Sequence, residues 1–346
     1  MQTRAFLAEH YRKYPKLQIS DAFKYIFQSS FGCEHLVDSE KDAAERIKRE
    51  YESVRSAQSV DRLDGEYSRV PLSFIGEGMA PETLARLFFL SAKKESDGAA
   101  RLHEKLDVIR EMTLAGELPF DRAELEEKIA AWSENGFCPL HHSEEFREAY
   151  KPSYRVIAER YVKYLPLFLN IDKLLTEKDS VILAIEGGSA AGKTTLSKLL
   201  CDVYDCNTLH MDDFFLRPEQ RTPERFSEVG GNVDRERVIG ELLLPLSENR
   251  EVRYRPFDCS TMSLGESVTL TKKRLSVVEG VYSMHPELEG YYDLSVFLEI
   301  SPELQMERIK KRNTPAMAER FFTEWIPLEA RYFEATQPKK RCTLVF

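Results

Sequence analysis

The sequence predicts two consecutive domains of different class, an all-helical domain followed by an α/β domain with a doubly wound, mostly parallel sheet. Apolar residues recur at three- and four-residue spacing through the first half of the chain. In the second half, short apolar runs of strand length alternate with helical segments. A glycine-rich turn joins the first of these runs to a helix. A length of 346 residues is enough for about two domains of ordinary size.

The composition is typical of a folded globular protein. Hydrophobic residues make up 42% of the chain, charged residues 31%, and the formal net charge is −9. An acidic chain argues against a broad nucleic-acid surface, although a few local lysines and arginines can still bind a small anion. The sequence begins without an apolar signal core, and no window approaches the ~20 apolar residues of a membrane span. We therefore expect a cytoplasmic protein with no nucleic-acid or membrane partner, and the sequence leaves homo-oligomerisation open.

The first domain, residues 1–175, is predicted to be helical because apolar positions follow a helical period along most of it. Residues 66–78 are the exception, since prolines and glycines interrupt them and indicate an extended or irregular connection. Pro152 is expected to divide the last helical segment in two. The predicted helical segments are residues 3–13, about 20–30, 39–55, 82–95, 99–114, 122–134 and 144–174.

Polar residues near the end of this domain allow more than one interpretation. His141 and His142, together with His35 earlier in the domain, could belong to a polar pocket or a metal site, but without compact ligand spacing we favour packed or surface histidines. Arg147, Lys151 and Arg155 alternate with tyrosines, a pattern that suits an anionic or aromatic ligand. The same pattern is equally consistent with an amphipathic helix pair docked on the second domain. The first domain matches no domain of known function.

The second domain, residues 176–346, begins where the pattern changes. Residues 181–186, VILAIE, form a continuous apolar run of strand length, and a helical pattern follows the glycine-rich turn. Further short apolar runs occur at NTLHM, EVRYRPF, LSVVEG, LSVFLEI and CTLVF. Strands that alternate with helices indicate a mostly parallel sheet covered by helices on both faces.

The glycine-rich turn, GGSAAGKTT, fits the phosphate-binding pattern G-x-x-x-x-G-K-[ST] at every fixed position. Glycines let successive backbone N–H groups point at phosphate oxygens, and the following helix adds its positive N-terminal end. Lys193 can reach the β- and γ-phosphates, and the Thr194 hydroxyl can bind Mg²⁺. We therefore predict a P-loop NTPase domain with ATP and Mg²⁺ as cofactors. The candidate nucleotide-binding residues are Gly187, Gly188, Ser189, Ala190, Ala191, Gly192, Lys193, Thr194 and Thr195.

A second motif, HMDDFF, lies about 20 residues beyond the loop. Asp212 and Asp213 follow an apolar run, where a second parallel strand should end, and ligands of open α/β sheets collect at those strand ends. A carboxylate there can accept a proton from an attacking hydroxyl or hold a magnesium-bound water. The alternative is an acidic turn that caps the next segment. The chain has no N-K-x-D-like segment of the kind that reads the base in a GTPase.

Taken in order, these motifs resemble those of the phosphoribulokinase/uridine kinase family, which includes nicotinamide riboside kinases. The resemblance extends from about residue 180 to 340 and depends on the order and spacing of six segments. They are GGSAAGKTT, DDFF, GGNVD, YRPFD, VVEG and ERIKKR. Each looks like a motif of that family, although proline directly precedes the aromatic residue in YRPFD, where the family has P-x-Y-D.

The resemblance implies roles for residues on the acceptor side of the site. Asp212, as the first aspartate of DDFF, would be the general base, and Phe215 would line the acceptor pocket. Asp234, the last residue of GGNVD, would bind substrate hydroxyls. Phe257 and Asp258 lie in the segment similar to P-x-Y-D and are further candidates for substrate contact.

The resemblance also implies roles for residues on the donor side. Glu279, at the end of an apolar run, would support Mg²⁺ or its water shell, and a buried carboxylate usually does need such a partner. Arg308 and Arg312 occupy the cationic positions of a lid helix that closes over the transferred phosphate. Without the resemblance, ERIKKR would be interpreted as a solvated helix face with i,i+4 charge pairs.

The sequence therefore predicts an ATP-dependent kinase that transfers the γ-phosphoryl group to a hydroxyl of a small metabolite, nucleoside-like or sugar-like. In nucleoside-specific members of the family, a histidine and an arginine that read the base follow P-x-Y-D. Here the corresponding run is DCSTMSL, which argues against uridine or cytidine as the acceptor. The alternative function is a nucleotide-dependent regulatory or ligand-binding protein that uses the kinase fold as a switch.

Overall fold

The computed structural model describes residues 2–33, 39–54, 57–92 and 97–346, so His35 lies outside the described residues. The chain forms two compact units, Met1–Asp172 and Lys173–Phe346. The division falls inside one helix, Leu165–Glu177, close to the point where the sequence pattern changes. None of the helices in the described ranges combines the length and apolar character that a membrane crossing requires.

The N-terminal unit is mainly helical. Helix Ile19–Phe31 shows why, since Phe23, Ile26 and Phe27 lie on one face and are buried. The ring of Trp132 stacks on Phe23 at a centroid distance of 4.8 Å and joins a second helix to this core. The helices are α1 (Gln2–Lys13), α2 (Ile19–Phe31), α3 (Glu40–Tyr51), α4 (Pro81–Ser91), α5 (Gly98–Leu114), α6 (Arg122–Glu134), α7 (Glu144–Tyr150), α8 (Glu159–Val162) and α9 (Leu165–Glu177), with a 3₁₀ turn at Leu72–Ile75.

The prediction of an all-helical first domain needs a correction, because this unit also contains a three-stranded antiparallel sheet. Its strands are β1 (Asp61–Leu63), β2 (Tyr67–Pro71) and β3 (Tyr154–Ala158), paired in that order. Strand β2 lies in the segment expected to be extended, but β3 replaces part of the helix predicted over residues 144–174. Lys151 in the left-handed region ends α7, and Pro152 prevents the helix from continuing. The β-branched residues that follow then pair with β2.

A buried polar network runs through the N-terminal unit beside this sheet. The Asp21 carboxylate accepts hydrogen bonds from His142 Nδ1 at 2.9 Å and from the Ser143 backbone at 3.0 Å. His142 Nε2 lies 2.6 Å from the Tyr154 hydroxyl. The Gln28 side-chain oxygen accepts a hydrogen bond from the buried guanidinium of Arg69. These hydrogen bonds hold the buried side chains of the network in fixed orientations.

The C-terminal unit is an α/β domain, as the sequence predicts. Its five-stranded sheet has the order β12-β11-β4-β10-β5, and every adjacent pair is parallel. Two short antiparallel pairs, β6-β9 and β7-β8, lie outside this sheet. The strands are β4 (Val181–Gly187), β5 (Cys206–His210), β6 (Val252–Tyr254), β7 (Phe257–Asp258), β8 (Ser263–Leu264), β9 (Val268–Leu270), β10 (Leu275–Glu279), β11 (Leu294–Leu298) and β12 (Leu344–Val345).

Helices pack around this sheet and bury its central strands. Every residue of β4, β10 and β11 is buried, which is typical of parallel strands covered on both faces. The helices are α10 (Lys193–Val203), α11 (Pro223–Ser227), α12 (Arg235–Arg237), α13 (Leu244–Ser247), α14 (Pro302–Arg312), α15 (Pro315–Arg320), α16 (Ile326–Thr336) and α17 (Pro338–Arg341). Shorter turns are the 3₁₀ segments Met211–Phe214, Pro218–Gln220 and Glu289–Tyr291 and the π-helical segments Val238–Leu243 and Phe321–Trp325.

Because His142 is buried, we expect the N-terminal unit to lose stability in mild acid. Burial lowers the pKa of His142 to about 4, whereas a histidine in the unfolded chain titrates near 6.5. The unfolded state therefore binds the proton first as the pH falls from about 6.5, and folding stability declines until the folded state is also protonated near pH 4. This one residue accounts for a decrease of up to about 3 kcal/mol in the free energy of unfolding.

A His142→Gln variant should show a weaker decline in unfolding free energy between pH 6.5 and 4 than the parent. Trp132 lies in this unit and Trp325 in the other, so Trp132 fluorescence in a Trp325→Phe background reports its unfolding. His103→Gln, at an exposed position of the same unit, is the matched control and should retain the parental pH dependence. An unchanged pH dependence in His142→Gln would contradict the assignment.

Candidate active site

The register of the parallel sheet brings the ends of three strands to one place. Central strand β10 pairs with β4 on one side and β5 on the other, so Glu279 lies opposite both Ile185 and His210. Strand β4 runs into the phosphate loop, and β5 runs into the 3₁₀ turn that carries Asp212. The cleft at the carboxyl edge of the sheet therefore contains the loop, Glu279 and Asp212, which are far apart in the sequence.

The phosphate loop connects β4 to α10 through backbone conformations that favour glycine. Gly187 has φ +147°, and a Cβ atom there would lie 2.5 Å from the carbonyl oxygen of Leu298 on β11. Gly192 has φ +105° and immediately precedes α10. Ala190, with φ +63°, adopts the left-handed region despite its side chain. This path turns the chain tightly at the N-terminus of α10, where backbone N–H groups and the helix dipole favour an anion.

Lys193 is buried in the first turn of α10, beside the loop that precedes it. Its ammonium donates to the carbonyl oxygens of Gly187 at 2.8 Å and Gly188 at 2.9 Å. An ammonium has a third N–H to offer, so a phosphate oxygen in the loop can bind it without breaking an ion pair. Thr194 and Thr195 follow on the same helix, and both are exposed toward solvent.

Glu279 connects the loop to the neighbouring strand. Its Oε1 accepts hydrogen bonds from the Thr194 hydroxyl and from His210 Nδ1, both at 2.8 Å. Burial alone would raise the pKa of Glu279, but the bonds from His210 and Thr194 and the charge of Lys193 lower it below its ordinary value. The hydrogen bond to Glu279 in turn raises the pKa of His210. A threonine hydroxyl and an ionised carboxylate in contact are hard oxygen donors, which suit Mg²⁺.

Asp212 and Asp213 lie on the turn after β5, beside this group. The Asp212 side chain faces solvent, and partial desolvation by the cleft walls raises its pKa, while Lys193 acts to lower it and Glu279 to raise it. Desolvation likewise raises the pKa of Asp213, whose carboxylate accepts a hydrogen bond from the Tyr254 hydroxyl at 3.2 Å. Asp212 is thus a carboxylate with increased basicity near the phosphate loop.

The acceptor-side candidates lie around the same turn, but their side chains differ in availability. Phe215 is half-buried and its backbone pairs with Val233. Asp234 is buried, accepts a hydrogen bond from the Gln220 side chain at 2.7 Å and caps the short helix α12. A hydroxyl ligand must therefore share the Asp234 carboxylate with the Gln220 side chain and with the backbone N–H of Arg237 in α12.

The hairpin β7-β8 holds the last two acceptor-side candidates. Phe257 is buried beneath the guanidinium of Arg221, 5.7 Å from the ring centroid. Asp258 is exposed, and its Oδ1 accepts hydrogen bonds from the backbone and hydroxyl of Ser260 at 2.8 Å and 2.6 Å. Desolvation raises the pKa of the adjacent Cys259, which is exposed, and the charge of Asp212 adds to this increase while that of Arg221 opposes it. The hairpin therefore lies near Asp212.

Helix α14 brings one of the two predicted lid arginines to the phosphate loop. Arg308 donates to the carbonyl oxygen of Ala190 at 3.0 Å, and Gln305, one turn earlier, donates to the carbonyl of Ser189 at 3.0 Å. Arg312 is exposed one turn further on, with its guanidinium 5.3 Å from the ring centroid of Phe321. The structure thus joins Arg308 to the loop and leaves Arg312 stacked on an aromatic ring.

Two buried glutamates next to the loop were not predicted from the sequence. Glu186 accepts hydrogen bonds from the backbone of Gly187 at 2.9 Å and from the Tyr332 hydroxyl at 3.0 Å, and burial raises its pKa to about 7. Glu329, on α16, accepts hydrogen bonds from the backbone and the hydroxyl of Ser189. Glu186 could have been identified from the sequence, because it is the charged residue that ends the apolar run VILAIE. No local signal marks Glu329, which lies 140 residues from Ser189 in the chain.

A separate cavity lies at the opposite edge of the sheet. Its volume is about 480 Å³, and its lining includes Val181, Asn207 and Ser276, near the amino ends of three strands. The cavity and the phosphate loop lie at opposite ends of the strands, so the length of the strands separates them. The residues discussed above lie at the carboxyl edge, where α/β sheets bind ligands.

Comparison with known proteins relates about half of this chain to uridine kinases. The sequence is 23% identical over 177 residues to a uridine kinase of Geobacillus kaustophilus, and the match covers 46% of this chain and 83% of the relative. A uridine kinase of Anoxybacillus flavithermus is 22% identical over the same coverage. No protein-family model matches the chain, and the N-terminal half is unmatched.

Among solved structures, a possible uridine kinase from Bacillus stearothermophilus matches 52% of this chain and 99% of its own length. The sequence identity is 23% and the TM-score is 0.39. The sequence similarity to the two uridine kinases of Geobacillus and Anoxybacillus agrees with the resemblance in sequence motifs and does not identify an acceptor.

Replacing Gly187 with alanine should destabilise the C-terminal unit by about 1–3 kcal/mol, because the added Cβ meets the Leu298 carbonyl and the φ angle is strained for alanine. Chemical unfolding followed by Trp325 fluorescence in a Trp132→Phe background measures this loss. Gly290→Ala is the control, since its Cβ would have no atom within 4 Å. If both variants were equally stable, the tight contact between the loop and β11 would be wrong.

Proposed function

We propose that the C-terminal unit is an ATP- and Mg²⁺-dependent kinase that transfers the γ-phosphoryl group to a hydroxyl of a small metabolite. The observation that supports this most strongly is the position of Asp212, a carboxylate of raised pKa in the cleft that also contains Lys193 and Glu279. A carboxylate in this position can accept the proton of an attacking hydroxyl. The similarity of about half the chain to uridine kinases agrees with phosphoryl transfer.

In the proposed reaction the acceptor hydroxyl oxygen forms a bond to the γ-phosphorus, and the bond from that phosphorus to the β–γ bridging oxygen breaks. ADP leaves with the electron pair, and Asp212 takes the hydroxyl proton. The ammonium of Lys193 stabilises the negative charge on the phosphoryl oxygens. Arg308 can turn from the Ala190 carbonyl toward the same oxygens, because its side chain is exposed beside the loop.

Thr194 and Glu279 are the residues that would hold Mg²⁺, directly or through its water shell. Their oxygen atoms are 2.8 Å apart, and Mg²⁺ commonly uses one or two protein oxygens together with phosphate oxygens and water. When bound, the ion would neutralise charge on the β- and γ-phosphates. His210 holds the Glu279 carboxylate in place from the other side.

We further propose that the acceptor is nucleoside-like or sugar-like. Phe215, Asp234, Phe257 and Asp258 are the candidates for its contacts. Carboxylates beside aromatic rings suit a molecule with hydroxyl groups and one flat or apolar face. The run after Asp258, CSTMSL, contains no histidine or arginine of the kind that reads the base in nucleoside-specific kinases of the family that it resembles. We therefore expect an acceptor other than uridine or cytidine.

An Asp212→Asn variant should lose phosphoryl transfer by ~10²-fold or more, because the amide cannot accept the hydroxyl proton. ADP affinity should change by no more than about twofold, since in the proposed mechanism Asp212 acts on the acceptor. Transfer is measured as acceptor-dependent ADP release across a panel of sugars, polyols and nucleosides. Asp205→Asn, an exposed aspartate of the same unit paired with Lys273, is the matched control.

If the Asp212→Asn variant turned over at the parental rate, Asp212 would not be the general base. ATP consumption that stays at one slow basal level across the panel would instead favour the nucleotide-dependent switch over a kinase.

A Glu279→Gln variant should need a higher Mg²⁺ concentration for half-maximal activity, by about tenfold or more, because the neutral amide binds the ion and its waters more weakly. The measurement is a Mg²⁺ titration at fixed ATP, combined with ADP binding in the presence of EDTA. Metal-free ADP binding should change little, since the loop and Lys193 remain intact. A parental Mg²⁺ dependence would contradict the proposed role of Glu279.

A further inference from the structure

A cavity of about 710 Å³ lies within the N-terminal unit. Helices α2, α3 and α7 and strand β3 all contribute side chains to its wall. Strand β3 is an edge strand of the three-stranded sheet. The volume is in the range of pockets that enclose small organic molecules.

The wall of this cavity is strongly cationic. Among its described lining residues, Glu50 is the one carboxylate, and Arg155 already pairs with it at 2.8 Å. This concentration of positive charge is opposite in sign to the net charge of the whole chain, −9. The lysines and arginines of the wall are Lys24, Arg46, Arg147, Lys151 and Arg155.

Three of these cations are available to a ligand. In the part of the chain that the structure describes, the side chains of Arg46, Arg147 and Lys151 have no hydrogen-bond or ion-pair partner, and all three are exposed. Lys24 is half-buried and donates to the carbonyl oxygen of Leu140 at 2.7 Å, which leaves two further N–H groups. Cations from α2, α3 and α7 and from the loop after α7 therefore face one volume.

The polar floor of the cavity is neutral and fixed. Asp21 can only accept, so the proton of His142 lies on Nδ1, and Nε2 accepts from the Tyr154 hydroxyl. Burial lowers the pKa of His142 to about 4, in agreement with a neutral ring. Both ring nitrogens are thus occupied by protein partners and are unavailable to a metal. Within the described residues no group of three or more His, Cys, Asp or Glu side chains is arranged to bind one.

One side of the cavity is apolar. Phe88 and Val156 line it, and the Arg155 guanidinium lies 5.6 Å from the centroid of the Phe88 ring. A simple inorganic anion would leave this surface without a partner. A ligand with an organic body and an anionic group would contact both parts of the wall.

From this arrangement we infer that the N-terminal unit contains a binding site for a small organic phosphate monoester. A phosphate monoester carries −1.5 to −2 charges at neutral pH and three acceptor oxygens, which matches several converging cations better than a single carboxylate does. The phosphate contacts Arg147, Lys151 and Lys24, and the organic part lies toward Phe88. This site goes beyond the proposed kinase reaction and involves none of its residues.

Phenyl phosphate is a suitable probe, because its ring and phosphate match the two parts of the cavity. Calorimetric titration at low ionic strength uses the full chain loaded with MgADP, so that the phosphate loop is occupied. The double variant Arg147→Gln/Lys151→Gln should bind phenyl phosphate at least tenfold more weakly than the parent. Arg122→Gln/Lys128→Gln removes the same net charge from exposed positions outside the cavity and should bind as the parent does.

Saturable binding that weakens only in the cavity variant supports the site. Equal binding by both double variants, or no saturable binding by the parent at millimolar probe, would overturn it. Benzoate, which carries a carboxylate on the same ring, should bind at least tenfold more weakly than phenyl phosphate, and the reverse order would overturn the assignment to phosphate monoesters. Binding of the probe at the phosphate loop would not depend on Arg147 or Lys151, so the cavity variant distinguishes that binding from binding in the N-terminal cavity.

Discussion

The arrangement of the C-terminal unit depends on the parallel pairing of β10 between β4 and β5. This pairing places Glu279 next to both the phosphate loop and the turn that carries Asp212. A shift of one residue would turn Glu279 toward the opposite face of the sheet, because side chains alternate along a strand. Every residue of β10 is buried between neighbouring strands and helices, and close packing of these side chains holds the strand in its register. Packing of an apolar strand thus positions a charged group.

The cleft also concentrates charges of both signs within a small volume. Asp212, Asp213 and Glu279 are close enough to influence one another's pKa, and Lys193 and His210 offset part of their negative charge. In the proposed reaction, ATP would bring further negative charge and Mg²⁺ would offset it. Unequal pKa shifts, downward for Glu279 and upward for Asp212, fit a division between a metal-supporting carboxylate and a base.

The sequence predicts the parts of this molecule that depend on contiguous segments. The phosphate loop, the strand before it and the helix after it follow from local glycine chemistry and apolar runs, and the fold class follows from their alternation. Strand β3 was predicted as helix, because its apolar spacing suits either structure and pairing with β2 decides between them. Glu329 was missed because its contact with Ser189 joins distant segments. The basic residues of the N-terminal cavity were recognised only in part, since Lys24 and Arg46 lie on helices more than 100 residues before Arg147.

If the phosphate loop and Asp212 belong to one phosphotransfer site, the γ-phosphoryl group of ATP is transferred to a hydroxyl of the acceptor. ³¹P NMR of a reaction with ATP, Mg²⁺ and a hydroxyl-bearing acceptor distinguishes a new phosphate monoester from inorganic phosphate. A single phosphotransfer site predicts loss of the γ-phosphate signal with formation of one equivalent of the monoester per ADP. Release of the γ-phosphoryl group as inorganic phosphate, at the same slow rate whichever acceptor is present, would contradict it.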